Sequence, residues 1–149
     1  MRFYILLRYQ PLIAAFFIYT SVNKKHSFGK KERIKSKKVI SALFDRTSAS
    51  NHSFLIYPYK VIYSTEKTDI EIPEQLPQVL ISVSKRKFKN ATDRNTIKRR
   101  TKEAYRLNKV FYPQAMSLAL VYVANEILDF IILEKAMKSV LLRLEKETR

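Results

Sequence analysis

Gln78-Val79-Leu80-Ile81-Ser82-Val83-Ser84-Lys85, then Asp93-Arg94-Asn95-Thr96-Ile97-Lys98-Arg99-Arg100-Thr101-Lys102-Glu103-Ala104-Tyr105-Arg106, then Leu118-Ala119-Leu120-Val121-Tyr122-Val123-Ala124, is the stretch that decides the fold. The first run is rich in β-branched and apolar residues and bounded by polar ones, the mark of a strand. The second opens on a helix-capping residue and holds no Gly or Pro, so it reads as one helix, which Pro113 ends. The third is short and nearly all apolar, as a buried strand is. Strand, long helix, strand is a crossover unit, so a mixed β-sheet packed with helices, an α+β fold, is expected.

The helix is basic on one side. Between Lys85 and Lys109 stand eleven Lys or Arg against only Asp93 and Glu103. At about 3.6 residues per turn, Asn95, Arg99, Lys102 and Arg106 share a course, with Arg94 and Lys98 beside them, while Ile97, Thr101, Ala104 and Phe111 fall elsewhere. Like charges at i, i+4 destabilise an isolated helix by roughly 0.2–0.5 kcal/mol per pair. Packing of the Ile97 side, or a polyanion, must offset that. A merely solvated face interleaves Glu with Lys, and this one hardly does. The stripe is therefore read as a nucleic-acid surface.

Working outward, residues 37–45 carry Val39, Ile40, Leu43 and Phe44 at helical spacing. Residues 54–63 are β-branched and aromatic, hence a strand, with Pro58 arguing for an edge or a bulge. Residues 64–75 form a polar, acidic loop. A last amphipathic helix over 129–147 places Ile132, Ala136, Val140 and Leu144 at helical intervals. From 24 to 38, eight basic residues meet one acid, Glu32, as in a basic arm leading into a helix.

The chain has 149 residues, enough for one ordinary core, and a formal net charge of +16. With 46% hydrophobic content the charge sits on a folded body, and the partner is polyanionic. The absence of cysteine excludes disulfides, thiol nucleophiles and Cys-ligated zinc, and points to the cytoplasm. His26 and His52 lie outside any metal-ligand spacing and read as surface residues. The acids are scattered, and the pairs Asp69/Glu71 and Glu145/Glu147 lie in a loop and at the C-terminus, so a protein-borne Mg²⁺ nuclease centre has little material. Residues 1–22 hold two apolar runs split by Arg8, Gln10 and Pro11, too short to span a bilayer and a poor signal peptide. They are read as a non-core extension, with translation expected to start near Val22, and residues 23–149 as one domain.

Arg94-Asn95-Thr96-Ile97-Lys98-Arg99-Arg100-Thr101-Lys102-Glu103 closely resembles the RNR signature of the bacterial ribonuclease P protein subunit. Ser82-Val83-Ser84-Lys85-Arg86 is similar to that family's Val-Ser-Lys-Lys strand end, and Lys31-Glu32-Arg33-Ile34-Lys35 leading to Leu43-Phe44 to its opening. The resemblance runs from about Phe28 to Glu145. Lys102 stands where the family more often has Arg, Lys87-Phe88-Lys89-Asn90 replaces a shorter Gly-containing turn, and Ile40 stands where another cleft Phe is usual.

What the resemblance implies is specific. The fold would be the αβ sandwich of the ribosomal-protein-S5-domain-2-like type, with a left-handed β-α-β crossover where general sterics favour the right hand. The chain would be the protein component of ribonuclease P, a subunit of an endoribonuclease that matures tRNA 5′ ends, its partners being the ribonuclease P RNA and precursor tRNA. Catalysis and Mg²⁺ would belong mainly to the RNA, with no catalytic residue in the protein and no small-molecule cofactor or membrane contact. Arg94, Asn95, Lys98, Arg99, Lys102 and Arg106 would contact that RNA, joined by Ser82, Ser84, Lys85 and Arg86 at the strand end. Phe44 and Tyr57 would line a cleft for the single-stranded 5′ leader, where bases stack on rings for about 1–3 kcal/mol each. Two other readings compete. A general basic RNA-binding protein, such as a ribosomal protein, would share the charge but has no reason to match both motifs in order. A membrane-associated protein would use residues 3–19 as an anchor.

Overall fold

A computed structural model of the chain describes residues 27–45, 47–66, 76–112 and 115–148. The extension over 1–22, most of the acidic loop and Pro113 lie outside these described residues. A short 3-10 turn, Lys30–Glu32, leads into α1 (Lys37–Leu43), followed by β1 (Asn51–Ile56), β2 (Tyr59–Glu66), β3 (Gln78–Val83), α2 (Ala91–Asn108), β4 (Ala115–Tyr122) and α3 (Phe130–Thr148).

The four strands form one mixed sheet in the order β1-β2-β4-β3. β1 pairs antiparallel with β2, and β2 with β4, while β3 and β4 are parallel. Alternation along the strands sends Tyr59, Val61, Val79, Leu118, Leu120 and Tyr122 to the inner face, where they pack with Ile97, Ala104 and Tyr105 of α2 and Leu133, Met137, Val140 and Leu144 of α3. On the outer face Ala119 packs with Leu43 of α1 and Ile34, supported by Ile40, Ile62 and Leu80. The fold is thus an αβ sandwich with a large core on one side of the sheet and a small one on the other.

Two backbone bonds establish the hand of the β3-α2-β4 crossover. A strand of L-residues running upward, with a given side chain facing the viewer, sends that residue's N–H and C=O to the viewer's right. Val79 faces α2, and its C=O accepts from Ile34 N–H (3.2 Å) at the open edge, so β4 lies to its left. Tyr122 also faces α2, so Val123 faces away, and its N–H reaches Pro58 O (2.9 Å) on the β2 side, which agrees. Seen from the helices, the chain moves leftward from β3 over α2 to β4, and the crossover is left-handed.

Three expectations need correction. Residues 54–63 are not one strand: Tyr57-Pro58, joined by a cis peptide bond, makes the turn between β1 and β2. Pro58 has no N–H to give a ladder, so it turns the chain where the sequence suggested an edge or bulge. The basic helix begins at Ala91, not Asp93, with Asn90 extended as its N-cap. Asp93 falls in the first turn, where its charge suits the positive end of the helix dipole. In α3 the buried course runs through Leu133, Met137, Val140 and Leu144, and Ile132 is 46% exposed.

Candidate nucleic-acid interface

The inner side of α2 is sealed. Ile97 and Ala104 are 0% exposed and Thr101 1%, and Tyr59 Oη donates to Thr101 Oγ1 at 3.3 Å. This burial holds a helix whose own charges repel one another. The opposite side carries the stripe in the expected order, with Asn95, Lys98 and Arg99 exposed and Lys102 and Arg106 half-buried.

Its members differ in what already holds them. Arg94 Nη1 donates to the Phe88 and Lys89 carbonyls at 2.8 and 2.6 Å, so part of its guanidinium braces the loop before the helix. Arg106 forms a forked pair with Glu103, Nε to Oε2 at 2.9 Å and Nη2 to Oε1 at 2.7 Å. That pairing lowers the Glu103 carboxyl below its ordinary range and raises Arg106. Lys102 Nζ stands 5.7 Å from the centre of the Phe28 ring. Asn95, Lys98 and Arg99 thus present the open part of the stripe, whereas Arg94 and Arg106 also serve the fold. Arg100 lies off the stripe and donates to Leu128 O at 2.7 Å, tying α2 to the loop before α3.

The strand end splits between two surfaces. Ser82 pairs in register with Val121 and faces away from α2. Ser84 accepts from Arg86 N–H through Oγ (3.2 Å) and from Phe88 N–H through its carbonyl (3.1 Å), shaping the turn that exposes Lys85 and Arg86.

Across the outer face, α1 and the β1-β2 pair bound a cleft of about 520 Å³ lined by Phe44, Asn51, Lys60, Ile62 and Val121 among others. Leu43 is the core residue of α1, at 2% exposed, and frees Phe44, at 41%, for the cleft. Asn51 Nδ2 donates to the Ala42 and Asp45 carbonyls at 2.7 and 2.9 Å, pinning the end of α1. Thr47 donates N–H and Oγ1–H to Asp45, which lowers that carboxyl. Tyr57 is 58% exposed in the β1-β2 turn and does not line the cleft, so the two aromatics are not brought together there. Sequence reasoning missed Lys60, a cation on the cleft wall. Its signal was the period of two: once Val61 is core, Lys60 and Ile62 share the other face.

Among the described residues no group of three or more His, Cys, Asp or Glu is placed to hold a metal ion, and no helix is long and apolar enough to cross a membrane.

Comparison with known proteins agrees with this geometry. The family model described as Ribonuclease P matches residues 28–145. The "Ribonuclease P protein component" of Porphyromonas gingivalis is 32% identical over 122 residues, covering 77% of this chain and 84% of that protein. That of Chlorobaculum tepidum is 31% identical over 97 residues, covering 65% and 60%. Among solved structures, a mutant Staphylococcus aureus RNase P protein superposes with a TM-score of 0.59 at 22% identity, covering 78% of this chain and 90% of that one. The RNase P protein of Thermotoga maritima gives 0.55 at 20%, covering 74% and 96%. With its basic helix, its mixed sheet and these matches, the chain belongs to the ribonuclease P protein family.

Proposed function

We propose that the exposed stripe of α2 binds the ribonuclease P RNA, and that the outer-face cleft takes the single-stranded 5′ leader of precursor tRNA. As a ribonuclease P protein component, the chain is a subunit of an endoribonuclease and acts in tRNA processing. The observation that carries the RNA-binding reading is the division of α2 into a fully buried side and a side presenting Asn95, Lys98 and Arg99. Arg supplies forked donors to phosphate and Lys a point charge, and Asn95 both donates and accepts. Catalysis and its Mg²⁺ ions are assigned to the RNA, and the working compartment to the cytoplasm.

The test is reconstitution. Mixed with a bacterial ribonuclease P RNA at low Mg²⁺, the full chain restores cleavage of precursor tRNA, while RNA-free protein does not cleave. Each phosphate neutralised adds roughly 0.7–0.9 to the slope of log affinity against log salt. Arg99→Ala is therefore expected to flatten that slope and weaken RNA binding. Lys146→Ala, on an exposed residue at the end of α3, removes the same charge elsewhere and leaves the slope unchanged. Equal losses from the two would show that net charge, not this surface, drives binding.

A further inference from the structure

A second recess lies on the α2 side of the open edge of β3. Its space of about 260 Å³ is bounded by Phe28 and Arg33 from the N-terminal segment, Leu80 and Ile81 from β3, and Lys98 and Lys102 from α2. Three cations border it, and none of its lining residues is acidic. Surface cations are usually held by carboxylates. Here an aromatic ring does that work: Arg33 Cζ lies 5.2 Å and Lys102 Nζ 5.7 Å from the Phe28 ring centre. The ring is fixed in turn by an edge-on contact with Tyr105 at 5.6 Å. Cation-π contact positions a cation while leaving its charge available to an anion. The carboxylate of Glu32, on the same segment as Phe28 and Arg33, is engaged by Lys109 Nζ (2.7 Å) and Gly29 N–H (3.1 Å).

The floor adds a second kind of recognition. Val79, Ile81 and Val83 face inward, so their N–H and C=O groups point away from β4, towards the open edge. Val79 O is taken by Ile34 N–H. Among the described residues the N-terminal segment makes no further bridge to β3 beyond it, and the N–H and C=O of Ile81 are directed into the recess. An edge strand with an unpaired donor and acceptor can pair with the edge of a base as it can with another strand.

We infer that this recess holds one unpaired nucleotide of the bound RNA, its phosphate on Arg33, Lys98 and Lys102 and its base edge on the backbone of Ile81. The inference deepens the RNA-binding reading of α2 and rests on it. It extends the interface past the helix, round the β3 edge, to Phe28 and Arg33, and it calls for a single-stranded or bulged nucleotide, because a base held by its pairing edge on the Ile81 backbone is not paired in a stem.

Two measurements on the full chain test it. With a bacterial ribonuclease P RNA, Arg33→Gln is expected to reduce the salt slope of affinity by about 0.7, the value for one phosphate of a single strand. Lys35→Gln, exposed on the same segment but outside the recess, leaves it unchanged. In the ¹⁵N-labelled protein, cytidine 5′-monophosphate is expected to shift the Ile81 amide resonance, and inorganic phosphate to shift it less. Arg33→Gln and Lys35→Gln behaving alike would overturn the site. So would a nucleotide that leaves the Ile81 amide unmoved, or phosphate alone moving it equally. Should Arg33→Gln fail to fold, the amide titration decides. Loss of binding in Arg99→Ala with none in Arg33→Gln sinks the recess alone, while unchanged binding in Arg99→Ala and Lys98→Gln alike sinks the α2 reading and the recess with it.

Discussion

Lys109 closes the basic run in the sequence, yet its side chain is 0% exposed. Its Nζ donates to Glu32 Oε2 at 2.7 Å and to the Ser27 carbonyl, and so fastens the N-terminal segment to the chain just beyond α2. Breaking a buried ion pair from one side leaves a charge without its partner and costs about 3–5 kcal/mol. Lys109→Ala is expected to lose that much in urea unfolding, and Lys109→Met combined with Glu32→Gln to lose less than the sum of the two single changes. Additive losses would mean that the two side chains are not coupled. Neighbours also divide roles at the end of α1. Leu43→Ala, in the outer-face core, should cost about 2–5 kcal/mol of stability. Phe44→Ala should leave unfolding nearly unchanged and weaken binding of precursor tRNA carrying a leader, by about 1–3 kcal/mol if a base stacks on the ring, without affecting tRNA that lacks one.

At the scale of elements, α2 couples the two sides of its own cylinder. Its charges are held together by the packing of Ile97, Thr101, Ala104 and Tyr105 on the sheet. Ile97→Ala empties space at a fully buried position and is expected to cost about 2–5 kcal/mol. Measured below its melting temperature, the variant should keep the salt slope of RNA binding, since no phosphate contact is removed. A flattened slope would show that the stripe depends on fine placement of the helix. The hairpin of β1 and β2 is the element the sequence hid. A run of aromatic and β-branched residues on both sides of Pro58 reads as one strand by propensity, and only the pairing of Phe54 with Val61 shows that it folds back.

For the whole molecule, tyrosines set the alkaline limit. Burial pushes Tyr59 up to about 12, and burial with the Glu147 hydrogen bond does the same for Tyr63. Burial also raises Tyr105, Tyr112 and Tyr122. A group whose folded pKa is raised gives stability that is intact below its unfolded value, near 10 for a phenol, and lost as pH climbs through the folded value. Stability should therefore hold to about pH 10 and fall steeply above it, with phenolate absorbance of these tyrosines appearing together with unfolding. Phenolate signal from all of them before unfolding would contradict the packing. On the acid side, the hydrogen bonds of Tyr63 and then Arg143 lower Glu147, those of Lys138 and then Asn108 lower Glu134, and Arg106 lowers Glu103. Their contribution is present above the ordinary carboxylate range and is lost as pH falls through the folded values, where a chain with a formal charge of +16 at neutrality repels itself further.

The sequence by itself determined the strand-helix-strand unit, the buried and charged sides of α2, the short α1 and the family, because these rest on periodicity and on motifs spelled by neighbouring residues. Periodicity is a local property that one chain segment carries alone. What only the tertiary structure decided joins residues far apart: the fold-back at Pro58, the opposite faces taken by Ser82 and the α2 stripe, the capture of Lys109 by Glu32, the cleft place of Lys60, and the recess that brings Phe28 and Arg33 against Lys98 and Lys102. In a sequence Lys98 and Lys109 are alike. One meets solvent and the other a buried carboxylate, because which charge is covered depends on packing, and packing is made by contacts that no local pattern encodes.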